Sequence, residues 1–250
     1  GSGRLDVFRK GGDSLAGRYR LFHLWPFTLA ELAGRSSTIE GFLANPLMLC
    51  LEDEAGQGRI WSTLRQFSGF PEPYVAGNRR TYTRWARSYT HQLVREDIRS
   101  LTDIRAVEDL EILLSLLPHK IGSPLSIPNL ADDLKVAYNT VRNWLTAFER
   151  FYLTFSITPW TGTISRSVRK ERKLYLFNYA AVPDAGARFE NMIAVELLRA
   201  VTCWNDMGYG DYALHFIRTK ERMEVDFVIT EKQRPVLLVE PRSSRLRSIR

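Results

Sequence analysis

Two cysteines in 250 residues, Cys50 and Cys203, stand in unrelated contexts and cannot make a disulfide framework. Histidine is also scarce: His23, His91, His119 and His215 fall in four separate segments, which argues against a zinc site and a histidine-based triad. Apolar runs stay short. LANPLMLCL, among the longest, is interrupted by Pro46 and falls far below the roughly 20 residues needed to cross a bilayer. The opening GSGRLDVFRKGG has no apolar segment of a secretory signal, so the expected compartment is the cytoplasm, with no membrane partner. GxxxxGK[ST] occurs nowhere, so this chain is not expected to hydrolyse ATP by itself. Internal repeats and low-complexity segments are absent too.

What is present is a globular composition, 44% hydrophobic and 25% charged, enough to build a core. The length allows two or more small domains. Lys plus Arg number 35 against 28 Asp plus Glu, a formal charge of +7 that favours an anionic partner such as nucleic acid.

Alternation around Arg18 to Leu24 predicts a strand ended by Pro26, and Thr28 with Glu31 predicts a capping box on a short helix. Apolar spacing from Ser36 to Cys50 is helical, and SGFPEPYV at 68–75 reads as a proline-rich connector. Residues 81–99 form an amphipathic basic helix. A second long helix is expected from about Ala106 to Ile121, with Leu110, Leu113, Leu114 and Leu117 on one face. Further on, Leu130, Ala131 and Leu134 make one short apolar face, Lys135 to Tyr138 a turn, and Val141, Trp144, Leu145 and Phe148 a second face. The strand-like YLTFSI, the basic SRSVRKERK at 165–173 and the apolar LYLFN follow, an order resembling a winged helix with its wing. The last third predicts an amphipathic helix over 189–204, then three strands in an antiparallel meander: YALHFI, MEVDFVI and PVLLVE.

Two places carry candidate chemistry. If the turn EKQR is centred on Gln233, Asp226 lies opposite Glu240, with Cβ atoms about 5 Å apart. Two converging carboxylates need a shared proton, a cation or a divalent metal with oxygen preference such as Mg²⁺. Arg242, on the same face, is a candidate cation. The plain alternative is a solvated sheet face. The second place is the helix beginning at Asn139. With its apolar face turned inward, Thr140, Arg142, Asn143 and Thr146 point outward, and Asn and Arg near the start of such a helix suit base edges. Lys135, Arg169 and Lys170 add positive charge for phosphates.

The ordered blocks GSGRLDVFRKGGDSLAGRYRLFHLWPFTLAEL, SGFPEPYV, RWARSYTHQLVREDI, IGSPLSIPNLADDLKVAYNTVRNWL, FENMIAVELL and EVDFVI resemble the bacterial and archaeal AAA-type ATP-binding proteins that end in domain of unknown function 4143. That resemblance implies a fragment lacking the P-loop part, with ATP bound only when that part is present. It also implies nucleotide-sensing roles for Ser2 and Arg18. The C-terminal third is similar to PD-(D/E)xK nucleases. Carried over residue by residue, their site falls on Glu190, Asp226, Glu240 and Arg242, with a metal on Asp226 and Glu240. Arg242 stands where lysine is expected, Pro241 intervenes and the chain stops ten residues after Glu240; together these imply a degenerate site.

The expected fold class is α+β in three parts: 1–75 as the end of an AAA ATPase domain, 76–175 as a helical and winged-helix domain, and 176–250 as a truncated nuclease-like domain. The expected function is a nucleic-acid-associated binding module. A metal-dependent DNA endonuclease and a protein-interaction or regulatory module with a protein partner are the alternatives.

Overall fold

The computed structural model describes residues 22–34, 40–41, 57–98, 107–161, 171–218 and 224–241. Ser2, Arg18, Arg169, Lys170 and Arg242 lie outside these residues, as does most of the helix expected over 36–50. Among the described residues the fold is α+β: eight α-helices and one five-stranded mixed sheet.

The capping box forms as expected. Thr28 accepts from the Glu31 backbone N–H at 3.2 Å and the Glu31 carboxylate accepts from the Thr28 N–H at 3.0 Å, starting α1 (Leu29–Leu32). Phe22 to Leu24 join no strand, contrary to the alternation read there. The chain instead pairs further on, where the Phe27 N–H donates to the Gly69 carbonyl at 2.7 Å. The backbones approach so closely that a Cβ on Gly69 would overlap the Phe27 carbonyl oxygen. Gly69→Ala is therefore expected to destabilise the protein by about 1–3 kcal/mol, the usual cost of overpacking against backbone, read as a lower urea midpoint.

Helices α2 (Gln57–Phe67), α3 (Pro71–Ala76) and α4 (Arg79–His91) follow, α4 running on as a π-helical stretch, Gln92–Ile98. The expected connector at 68–75 is thus largely helix. Pro71 occupies its first turn, where a missing N–H costs no helical bond, and Gly77, in the left-handed region at φ 59°, closes it. The next helix, α5 (Val107–Leu116), is shorter than the leucine spacing suggested. Pro118 restrains Leu117 and the chain tightens into a 3₁₀ turn, Leu117–His119.

The pair α6 (Ile127–Leu134) and α7 (Tyr138–Arg150) follows the sequence reading closely. Ser126 caps α6, and Lys135 ends it in the left-handed conformation at φ 54°. α7 buries Val141, Trp144, Leu145, Ala147 and Phe148 in the main core. Filling one stripe at the i, i+3, i+4, i+7 positions is what fixes which residues α7 leaves outside.

Strands β1 (Thr154–Pro159), β2 (Lys173–Leu176), β3 (Tyr212–Arg218), β4 (Glu224–Glu231) and β5 (Arg234–Val239) stand in the order β2-β1-β3-β4-β5. β3, β4 and β5 make the expected antiparallel meander. β1 pairs antiparallel with β2 and, over Thr158 and Pro159 alone, parallel with β3. The long helix α8 (Ala185–Asp206), capped by Asp184, joins the two halves of the sheet and packs on β2, β3 and β4.

Candidate functional site

β4 and β5 turn through Lys232 and Gln233, both with positive φ (46° and 69°), a two-residue hairpin rather than a broader turn. Left alone, that turn would shift the register by one. A bulge restores it: pairing passes from Thr230↔Pro235 to Ile229↔Leu237, leaving Val236 as the extra residue. The ladder ends at Phe227↔Val239, with Asp226 and Glu240 the next residue on each side. The pairing stops just short of the two expected carboxylates. Glu240 is exposed, whereas the Asp226 carboxylate is already engaged elsewhere.

Its partner is Lys173. The ammonium lies 3.1 Å from Asp226 Oδ1, 3.2 Å from Glu190 Oε1 and 2.6 Å from Glu224 Oε1, and it is wholly buried. Tyr175, two residues along β2 and so on the same face, donates its hydroxyl to Glu190 Oε1 at 2.8 Å. The Phe216 ring lies 5.6 Å from the Lys173 ammonium. Burial alone would lower the Lys173 pKa, but the Glu190 charge and the hydrogen bonds to Glu224 and Asp226 outweigh it and hold the pKa above the ordinary lysine value. Burial pushes the Tyr175 hydroxyl far up, and the neighbouring carboxylates add to the effect. Lysine thus stays charged and tyrosine stays a donor.

Of the four residues expected at this site, Glu190 and Asp226 are brought together on Lys173, Glu240 is exposed just past the end of β5, and Arg242 is outside the described residues. In the sequence Lys173 closes the basic stretch 165–173. Alternation in KLYLF, which puts Lys173, Tyr175 and Phe177 on one face, is the signal that takes it out of the solvated run. Glu224 had the same signal, two residues before Asp226 in EVD. For a divalent cation the fit is poor: Glu190, Glu224 and Asp226 each turn a carboxylate oxygen to the Lys173 ammonium, which fills the place a cation would take.

The second candidate region is the outer side of α7. Asn139, Arg142, Asn143 and Thr146 are exposed, Thr140 is half-buried, and Lys135 projects from the turn before the helix. Beside them runs a groove of about 690 Å³, walled by Tyr138, Arg142 and Thr146 from α7, by Ile127 at the start of α6, and by Arg172 and Leu174 at β2. Glu149 and Glu171 line it as well, so its wall carries charges of both signs next to a polar helix face.

Residues 60–182 match a family model described as a domain of unknown function, DUF8612. The chain is also similar to the uncharacterized protein Rv2008c of Mycobacterium tuberculosis and the uncharacterized protein Mb2031c of Mycobacterium bovis. Each is 23% identical over 250 residues, covering 94% of this chain and 49% of the relative. The chain spans about half the length of these curated relatives. No solved structure matches it. These findings correct the resemblance to AAA-type ATP-binding proteins: the family model matched is a different one, and neither relative is described as an ATPase. The quoted blocks are short, and helix-capping and core patterns of this kind recur wherever similar elements are packed. The roles implied for Ser2 and Arg18 rested on that resemblance. Among the described residues no helix is long and apolar enough to cross a membrane.

Proposed function

We propose that this chain is a nucleic-acid-binding module whose helices α6 and α7 with the β1–β2 hairpin form a winged helix, α7 being the recognition helix. The observation that carries this reading is the division of α7 into two faces: Val141, Trp144, Leu145 and Phe148 anchor it in the core, leaving Asn139, Arg142 and Asn143 presented together near its start. Recognition helices use residues near their N-terminal end for base edges, and Asn and Arg are the side chains that make bidentate contacts to adenine and guanine. Lys135 and Arg172 supply the phosphate contacts that set orientation. In this reading α8 and β3–β5 are a nuclease-like scaffold with a degenerate site. What supports degeneracy is the Lys173 ammonium lying among Glu190, Glu224 and Asp226, binding the carboxylates into a structural ion-pair cluster.

The test is fluorescence anisotropy of labelled duplex DNA at about 50 and 200 mM salt. Affinity should fall steeply with salt, because phosphate contacts release counterions. Arg142→Ala should weaken binding by roughly tenfold or more, the loss of about 1–3 kcal/mol that one base contact carries. An unchanged affinity in that variant removes α7 from the interface. No binding by the wild type at low salt turns the reading towards a protein-interaction module.

A further inference from the structure

Helix α4 carries Arg79, Arg80, Arg84 and Arg87 and no acidic residue. Its inner face is fully used: Tyr82 is buried, Trp85 and Tyr89 stack at 4.9 Å with planes 15° apart, and Phe70 packs on both. Arg79 lies over the Tyr82 ring at 5.3 Å. The other three arginines are exposed on the outer face at i, i+4 and i+7, and among the described residues none of them is in an ion pair. At a rise of 1.5 Å per residue the three guanidinium-bearing positions span about 10 Å along one side of the helix. His91 continues the row one turn later.

This arrangement works against the helix that bears it. Cations in the first turn oppose the helix dipole, and like charges at i, i+4 repel. A side of a helix that breaks local rules without an offsetting contact marks a surface kept for a partner. We propose that Arg80, Arg84 and Arg87 form a second contact surface, for the phosphodiester backbone of nucleic acid. Three arginines and no lysine suit phosphates, since the planar fork donates two parallel hydrogen bonds to phosphate oxygens. A lipid surface fits less well, because interfacial helices must insert an apolar face and the apolar face of α4 is occupied by the protein's own core. The inference rests on the reading of the chain as a nucleic-acid binder and adds to it a sequence-independent grip separate from α7.

The experiment is the salt dependence of duplex DNA binding by the full chain, from about 50 to 300 mM, for wild type, R80Q/R84Q/R87Q, R80K/R84K/R87K and R142A. Each phosphate neutralised contributes about 0.9 to the slope of log Kobs against log salt. The glutamine variant should therefore lose about 2.7 of that slope and bind roughly tenfold more weakly at the low-salt end. The lysine variant should keep the slope, and R142A should keep it too while losing affinity. A glutamine variant whose slope and affinity match the wild type overturns the α4 surface and leaves the α7 reading standing. A loss confined to the glutamine variant, with R142A unaffected, supports α4 and removes α7. Equally tight, equally arginine-dependent binding of poly-glutamate reassigns the row to an acidic protein, and no DNA binding by the wild type overturns both readings. The three positions are exposed and their charges oppose the helix, so the glutamine variant should unfold at or slightly above the wild-type temperature.

Discussion

Lys173→Met should leave the protein folded and less stable by about 2–3 kcal/mol. The substituted ammonium is wholly buried, but its partners are not: Glu190, Glu224 and Asp226 keep 16%, 30% and 29% of their side-chain surface exposed. Removing one member of a fully buried ion pair costs about 3–5 kcal/mol, because a charge is left without compensation. Here water reaches the carboxylates and takes up part of that charge, so the loss falls at or below the lower end. Methionine fills similar space and keeps cavity effects small. Urea denaturation of wild type and variant gives the difference, and equal stability would show that the carboxylates hold their places without the lysine. Glu224→Gln with Asp226→Asn in the methionine background should recover part of the loss by removing the repulsion.

The pH dependence of that gap has a definite sign. The folded protein holds the Lys173 pKa above its ordinary value, so the folded state keeps its proton after the unfolded chain has begun to lose one. The stabilisation is fully present below the unfolded lysine pKa of about 10.4 and is lost as pH rises through the higher folded value. The difference between wild type and Lys173→Met should therefore be level from pH 7 to 9 and shrink above about pH 10.4.

Much of the helical half was legible because each signal was local. The two apolar faces of α6 and α7, the turn at Lys135 and the Thr28–Glu31 box all follow from spacing within one or two turns, and all four are found. The misreadings came where one residue type serves two structures. Pro71 and Pro73 look like a connector, yet proline at the start of a helix removes no bond, so α3 forms across them. The helix expected to Ile121 stops at Leu116 because its leucine pattern continues through Pro118, where helical hydrogen bonding does not.

The site was legible in part for the same reason. Asp226 and Glu240 could be set just past the end of one hairpin ladder by counting, since the bulge at Val236 offsets the tighter turn. Lys173 could not be placed by counting. β2 and β4 are separated in the sheet by β1 and β3, and the contact between them depends on β1 meeting β3 over only two residues. Tyr175 packing 5.8 Å from Phe227 shows that β2 lies close over β4. A lysine at the end of a run of basic residues carries no mark of that closure beyond its alternation with Tyr175.

Asn191→Ala should be the second severe substitution, at about 2–5 kcal/mol, and it bears on how the cluster is held. β2 is an edge strand, and its outward backbone groups at Leu176 would be orphaned beneath α8. Asn191, wholly buried, substitutes for a neighbouring strand: its Oδ1 accepts from the Leu176 N–H at 3.0 Å and its Nδ2 donates to the Leu176 carbonyl at 2.8 Å. Alanine leaves both groups buried without partners, each costing about 1–3 kcal/mol. Asn191→Asp should be no better, since it keeps the acceptor but sets a carboxylate against the Leu176 carbonyl. Because Glu190 precedes Asn191 and Lys173 lies three residues before Leu176, the same bonds fix the distance between α8 and β2 across which Lys173 and Glu190 meet. Asn191→Ala and Lys173→Met should then be non-additive, with a coupling of about 0.5–3 kcal/mol in a double-mutant cycle by urea denaturation. Strict additivity would mean that the amide clamp and the ion-pair cluster stabilise the α8–β2 contact independently.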